Sequence, residues 1–144
     1  MRNNYLKYDT YSNLFDRNMN TKMSYPSLFS VDEGYNKGNM FSNLYDPYMN
    51  YKVVNLKGNT EQERMFLELA RICFAKHEIN LYLDLHPEDM SMITLFNDYR
   101  ERELMLMKQY EEKFGPITTN SDVLDKSPFM WVKDGWPWEV NRYV

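Results

Sequence analysis

The chain has 144 residues, with 17 lysines and arginines against 21 aspartates and glutamates and a formal net charge of −4, which leaves room for one domain at most. No Lys/Arg stripe is present to neutralise phosphates, so nucleic acid is not an expected partner. No run of about eighteen apolar residues occurs, so no membrane span is expected, and the opening "MRNNYLKYDT" lacks the apolar stretch of a secretory signal.

The two parts of the chain differ in kind. Residues 1–59 hold eleven Asn and eight Tyr, with seven basic residues against five acidic; residues 60–144 hold ten against sixteen. The net charge therefore divides into +2 and −6. The first part contains a degenerate repeat. "YSNLFDRNMN" at Tyr11–Asn20 and "FSNLYDPYMN" at Phe41–Asn50 share six of ten positions, and two more exchange Phe and Tyr. Two copies are too few for a solenoid. Single aromatics among Asn, Ser and Asp follow neither the helical nor the strand period. Residues 1–59 thus read as an extended, irregular arm. Leu14, Phe15, Leu28, Phe29, Phe41, Leu44 and Tyr45 make it more apolar than a purely solvating tail, as in an arm that orders on a partner or on the hairpin.

The character changes at Thr60. "TEQE" spells a capping box, in which Thr60 and Glu63 each satisfy the other's free amide. Met65, Leu69, Ile72, Ile79 and Leu83 then keep helical spacing, with Phe66, Cys73 and Leu81 on a neighbouring stripe. Pro87 disfavours helical geometry at His86 and suits the first position of a second helix, with Glu88 and Asp89 near its positive end. That helix carries Ile93, Phe96, Met107, Tyr110 and Phe114 on one side and Met92, Leu95, Tyr99 and Leu106 on the next, and stops at Gly115–Pro116. Helices of about 60–86 and 87–114 joined by a short link must run antiparallel. The expected fold is all-α: an antiparallel two-helix hairpin, an irregular N-terminal arm (1–59) and a Trp/Pro-rich C-terminal tail (115–144).

A hairpin buries one stripe from each helix, and the apolar positions here exceed that. The surplus must be covered by the arm, the tail or another protein, so self-association or a hetero-oligomer is expected. The tail "PFMWVKDGWPWEV" has two readings. It either folds back and latches its rings on the hairpin or, stiffened by proline, fills pockets on a partner. Phe129, Trp131, Trp136, Pro137 and Trp138, with Leu14, Phe15, Leu44 and Tyr45 of the arm, are the candidate partner-binding residues, since Trp-rich clusters are frequent interface hot spots.

Catalytic and metal chemistry find little support. A di-metal carboxylate bundle needs Glu-x-x-His on two helices. The residues three before His77 and His86 are Phe74 and Leu83, and Cys73 has no second cysteine to make a zinc site. Cys73 falls in an apolar helical run and reads as a buried, inert thiol. His77 reads as part of a wet helix face and His86 as a turn residue, while "RERE" and "EEK" read as the solvated side of the second helix. No catalytic residue, metal or cofactor is expected.

From Thr60 to Val140 the residues resemble the CotJB-type spore coat proteins. The resemblance rests on "INLYLD" (Ile79–Asp84), "HPED" (His86–Asp89), "LFNDYR" (Leu95–Arg100), "YEEKFGP" (Tyr110–Pro116), "NSD" (Asn120–Asp122) and "WPWE" (Trp136–Glu139). Asp32–Lys52 is similar to an N-terminal extension that some members carry. Family members usually place a "PW.W" pair before the closing motif, and Pro128-Phe129-Met130-Trp131 keeps one tryptophan of it. The resemblance implies a structural protein, not an enzyme, made in the mother-cell cytoplasm and then built into the endospore coat. It further implies association with a manganese-catalase-like coat protein and other coat proteins. The alternative is an accessory subunit that caps or regulates that catalase-like enzyme.

Overall fold

The computed structural model describes residues 26–132. Among them the protein is all-helical: a short helix α1 (Val31–Lys37), two long helices α2 (Glu61–Leu85) and α3 (Met90–Phe114), and 3-10 turns at Asp122–Asp125 and Met130–Val132. Helices α2 and α3, each of 25 residues, form the hairpin and run about 37 Å at 1.5 Å per residue.

Local chemistry sets each boundary. At the start of α2 the capping box forms: the Glu63 amide donates to Thr60 Oγ1 at 3.1 Å and the Thr60 amide to Glu63 Oε2 at 3.2 Å. The start of α3 differs from the sequence expectation. Pro87 and Glu88 lie in the connecting turn, and α3 begins at Met90, with Asp89 as its N-cap. Asp89 Oδ1 accepts from the Ser91 amide at 3.1 Å and the Met92 amide at 3.2 Å. An Asp that satisfies two otherwise free amides outweighs the preference of proline for a first helical turn. Gly115 ends α3 as expected.

The arm contains an element that the sequence pattern did not place. Ser30 caps α1 by accepting from the Glu33 amide, and Gly38 ends it in the left-handed region at φ 72°. The chain then returns beside its own entry: Phe29 N–H donates to Met40 C=O at 2.9 Å and Ser42 N–H to Ser27 C=O at 2.8 Å, an isolated antiparallel bridge between Leu28 and Phe41. This closed loop lies on the hairpin. Met40 is 0% exposed and sits beside Gly34, where a Cβ would collide with its sulfur.

The core has two parts. Met40 and Phe41 of the arm pack with Ala75 and Ile79 of α2 and Met92 of α3. Leu69, Ile72 and Leu106 form the second part, toward the open end of the hairpin. Val31 and Tyr99 touch both. The arm thus supplies some of the cover that a two-helix hairpin lacks, which is why the hairpin faces are wider than one stripe.

Candidate interaction surface

Three polar clusters decide which surfaces are fixed and which remain open. At the α2–α3 seam, Glu103 accepts from the Cys73 thiol at 3.2 Å and pairs with Lys76. Glu103 therefore faces inward and is not part of a wholly solvated "RERE" face. Cys73 is half-buried rather than fully buried, and desolvation, followed by the neighbouring Glu103 carboxylate, pushes its pKa up to about 11. At neutral pH it is a thiol with little nucleophilic character.

Arg71 is the second cluster. Its Nη1 pairs with Asp32 of α1 at 3.2 Å, and its Nη2 donates to the Leu56 carbonyl at 3.0 Å. Its Nε is buried and unbonded among the described residues. Arg71 thereby ties α1 and the segment before α2 to the hairpin. The third cluster follows α3. Glu111 is buried, and it accepts from Ser121 Oγ at 2.6 Å and the Ile117 amide at 2.9 Å. This carboxylate fixes the direction in which the tail leaves the hairpin.

The hairpin tip is organised around Tyr82. Its ring stacks on Phe41 with centroids 5.4 Å apart and lies 4.3 Å from the His86 ring. Its hydroxyl donates to Asp89 Oδ2 at 3.1 Å. Burial, reinforced by that donation, raises the Tyr82 pKa. The Ser91 hydroxyl and then the Met92 amide hold the Asp89 carboxyl below its usual range. His77 is exposed on the outer face of α2.

The candidate partner-binding residues fall into three groups. Phe129, Trp131 and Leu44 are exposed, Trp131 at 38%. Tyr45 is engaged within the fold: its ring stands edge-on to Phe29 at 5.8 Å, and Lys37 Nζ lies 4.9 Å from its centroid. Leu14, Phe15, Trp136, Pro137 and Trp138 lie outside the described residues. Other exposed apolar residues were not among the partner-binding candidates: Tyr48, Met49, Tyr51, Val53, Val54 and Leu56 before α2, and Leu81, Leu85 and Met90 at the tip. The run "YKVVNL" (Tyr51–Leu56) carried a signal for four of the first set, Tyr51, Val53, Val54 and Leu56, being partly apolar and β-branched shortly before a helix cap. Leu81, like Phe66, belongs to the neighbouring stripe that the spacing marked on α2 and is exposed, whereas Leu69, Ile72 and Ile79 of the main stripe are buried.

Concavities are shallow. A cleft of about 170 Å³ between α1, Arg71 and Arg102 is lined by two ion pairs, Arg71–Asp32 and Arg102–Glu68. An open groove of about 520 Å³ lies between α1 and residues 53–57. Among the described residues, no group of three or more His, Cys, Asp or Glu is placed to hold a metal ion, and no helix is long and apolar enough to cross a membrane.

The profile of the CotJB protein family matches residues 63–139, more than half of the chain. The chain belongs to the CotJB family. CotJB proteins are spore coat proteins, so this chain is related to the spore coat and to sporulation. The matched region begins inside the first turn of α2 and takes in α3 and the following turns, so the hairpin is the family's part of the molecule. No curated protein and no solved structure matches the chain.

Proposed function

We propose that this CotJB protein is a structural component of the endospore coat, made in the mother cell and incorporated through protein–protein contacts. The observation that carries this reading is the distribution of apolar surface. Sixteen large apolar side chains are exposed among the described residues, and most fall in three stretches: 44–56, 81–90 and 129–132. Scattered apolar residues are ordinary on a surface, but grouped ones mark sites of association. The hairpin tip is a clear instance, with Leu85 63% and Met90 69% exposed on either side of one turn. A manganese-catalase-like coat protein is the proposed partner, on the strength of the family resemblance.

Deletion of 131–144 tests the reading. The truncated chain should fail to enter the coat while the specific activity of the catalase-like protein stays unchanged. Lost catalase activity with normal deposition would instead support an accessory subunit of that enzyme.

A further inference from the structure

The loop that carries α1 is built as a separate clip. Residues 27–42 close on themselves: the Leu28–Phe41 bridge joins their ends, and Ser30 and Gly38 cap α1 from within. Lys37 and Tyr45 pack on Phe29, with Lys37 Nζ 3.8 Å from its centroid. Met40 and Phe41 of the clip enter the core beside Ala75, Ile79 and Met92 of the hairpin. The Met40 amide donates to Glu78 Oε2 at 3.3 Å, and Asp32 pairs with Arg71. Each of these contacts joins the clip to α2 or α3, and none requires that both belong to one chain. The connection between them is loose. Residues 46–57 are exposed throughout, and among the described residues 46–55 make no hydrogen bond to the clip or the hairpin. Twelve extended residues reach about 40 Å, as far as the whole length of α2. The clip is therefore free to seat on its own hairpin or on a neighbour's.

We infer that copies of this chain exchange their clips, each seating residues 27–42 on the hairpin of the other. The occupant of the hairpin face is fixed by the fold: it is the segment that already fills that face, supplied by a second copy. This inference rests on reading the protein as one that assembles. The clip contacts are the same in the single chain and in the exchanged pair, so they cancel in the balance between the two. What differs is the tether. In the single chain Tyr48, Met49, Tyr51 and Val54 are all more than half exposed, Met49 at 83%. In a reciprocal exchange the two tethers cross between the hairpins side by side, and these apolar side chains meet their copies and leave water. Opposing this is the effective concentration of a clip held on its own short tether, on the order of millimolar. Exchange is thus a property of crowded chains, as in an assembly, and not of dilute ones.

Cross-linking between differently marked full-length chains tests the exchange. Asp32 and Arg71 face each other across the joint at 3.2 Å, outside its Met40–Phe41 core. In a Cys73→Ala background, D32C chains are mixed with R71C chains and treated with a short bismaleimide. A heterodimer then forms where the clip of one chain sits on the hairpin of the other. Its fraction should rise about tenfold or more between about 10 μM and about 1 mM chain. D32C mixed with E112C, exposed near the end of α3, should not link. A single chain carrying both D32C and R71C links within itself and serves as the positive control. Replacing Tyr48, Met49, Tyr51 and Val54 together by serine should lower the linked fraction at least about tenfold. Absence of the D32C–R71C heterodimer at every concentration, while the double variant links, would overturn the exchange, as would equal linking of the E112C mixture. An unchanged fraction in the serine variant would overturn the role of the tether. Recovery of wild-type chain from spore coats separates the two levels. If the chain enters the coat although no heterodimer forms, the exchange alone fails; if it does not enter, the proposed function fails.

Discussion

Single residues on the seam and at the tail exit carry distinct chemical signatures. The Cys73 thiol, with its pKa near 11, should react with iodoacetamide far more slowly at pH 8 than a free cysteine, whose pKa is about 8.5. The rate should climb only as pH approaches 11. The associated stability has a definite sign. A thiol whose pKa is raised on folding contributes stability that is fully present below the unfolded value and lost as pH rises through the folded one. Cys73→Ala should therefore flatten the alkaline side of the stability profile between about 8.5 and 11. Glu111 works differently. Replacing it with alanine leaves the Ile117 amide and the Ser121 hydroxyl without their buried acceptor. The expected loss is about 1–3 kcal/mol in denaturant unfolding, and Glu111→Gln should lose less because it keeps one acceptor oxygen.

The elements differ in how far they follow from local sequence. The α2 boundary was legible because the capping box is a short-range pattern satisfied by its own residues. The α3 start was not. Two local rules competed, and the side-chain oxygens of Asp89 made bonds that a preference for proline cannot supply. Asp89 is held below its usual range in the folded chain. Its contribution is therefore present above the unfolded pKa of about 3.9 and lost as pH falls through the folded value. Acidification should loosen the first turn of α3, and Asp89→Ala should remove that acid sensitivity, measured by hydrogen exchange at Ser91 and Met92.

Helix α1 was invisible to periodicity because seven residues span only about two turns. Its stability comes from Met40, a contact that returns from outside the helix. Met40→Ala should cost about 2–5 kcal/mol, with hydrogen-exchange protection lost in α1 before it is lost in α2 and α3. Gly34→Ala should act in the same direction, since its methyl would occupy the space of the Met40 sulfur.

At the scale of the whole molecule, the all-helical hairpin was legible and the placement of the open surface was only partly so. Apolar periodicity found the main inward stripe of α2, with Leu69, Ile72 and Ile79 buried, because one face of each helix must meet the other. The pattern did not separate that stripe from its neighbour, where Phe66 and Leu81 are exposed. It says little about apolar residues on outward faces, such as Leu85 and Met90, or on a segment such as 51–56 with no regular period. Tyr45 illustrates the converse. An aromatic in a sticky-looking motif is engaged with Phe29 and Lys37 inside the fold.

The central claim is that these open surfaces, rather than an enclosed site, carry the protein's role in the spore coat. The most direct measurement compares wild-type chain with a Leu85→Glu/Met90→Glu variant in coat extracts of purified spores, after both are shown to share one Tm. The account predicts that the wild-type chain is recovered in the coat extract and that the variant is strongly depleted from it. Equal recovery of the two would contradict a role for the hairpin tip, and absence of both from the coat would contradict the structural assignment itself.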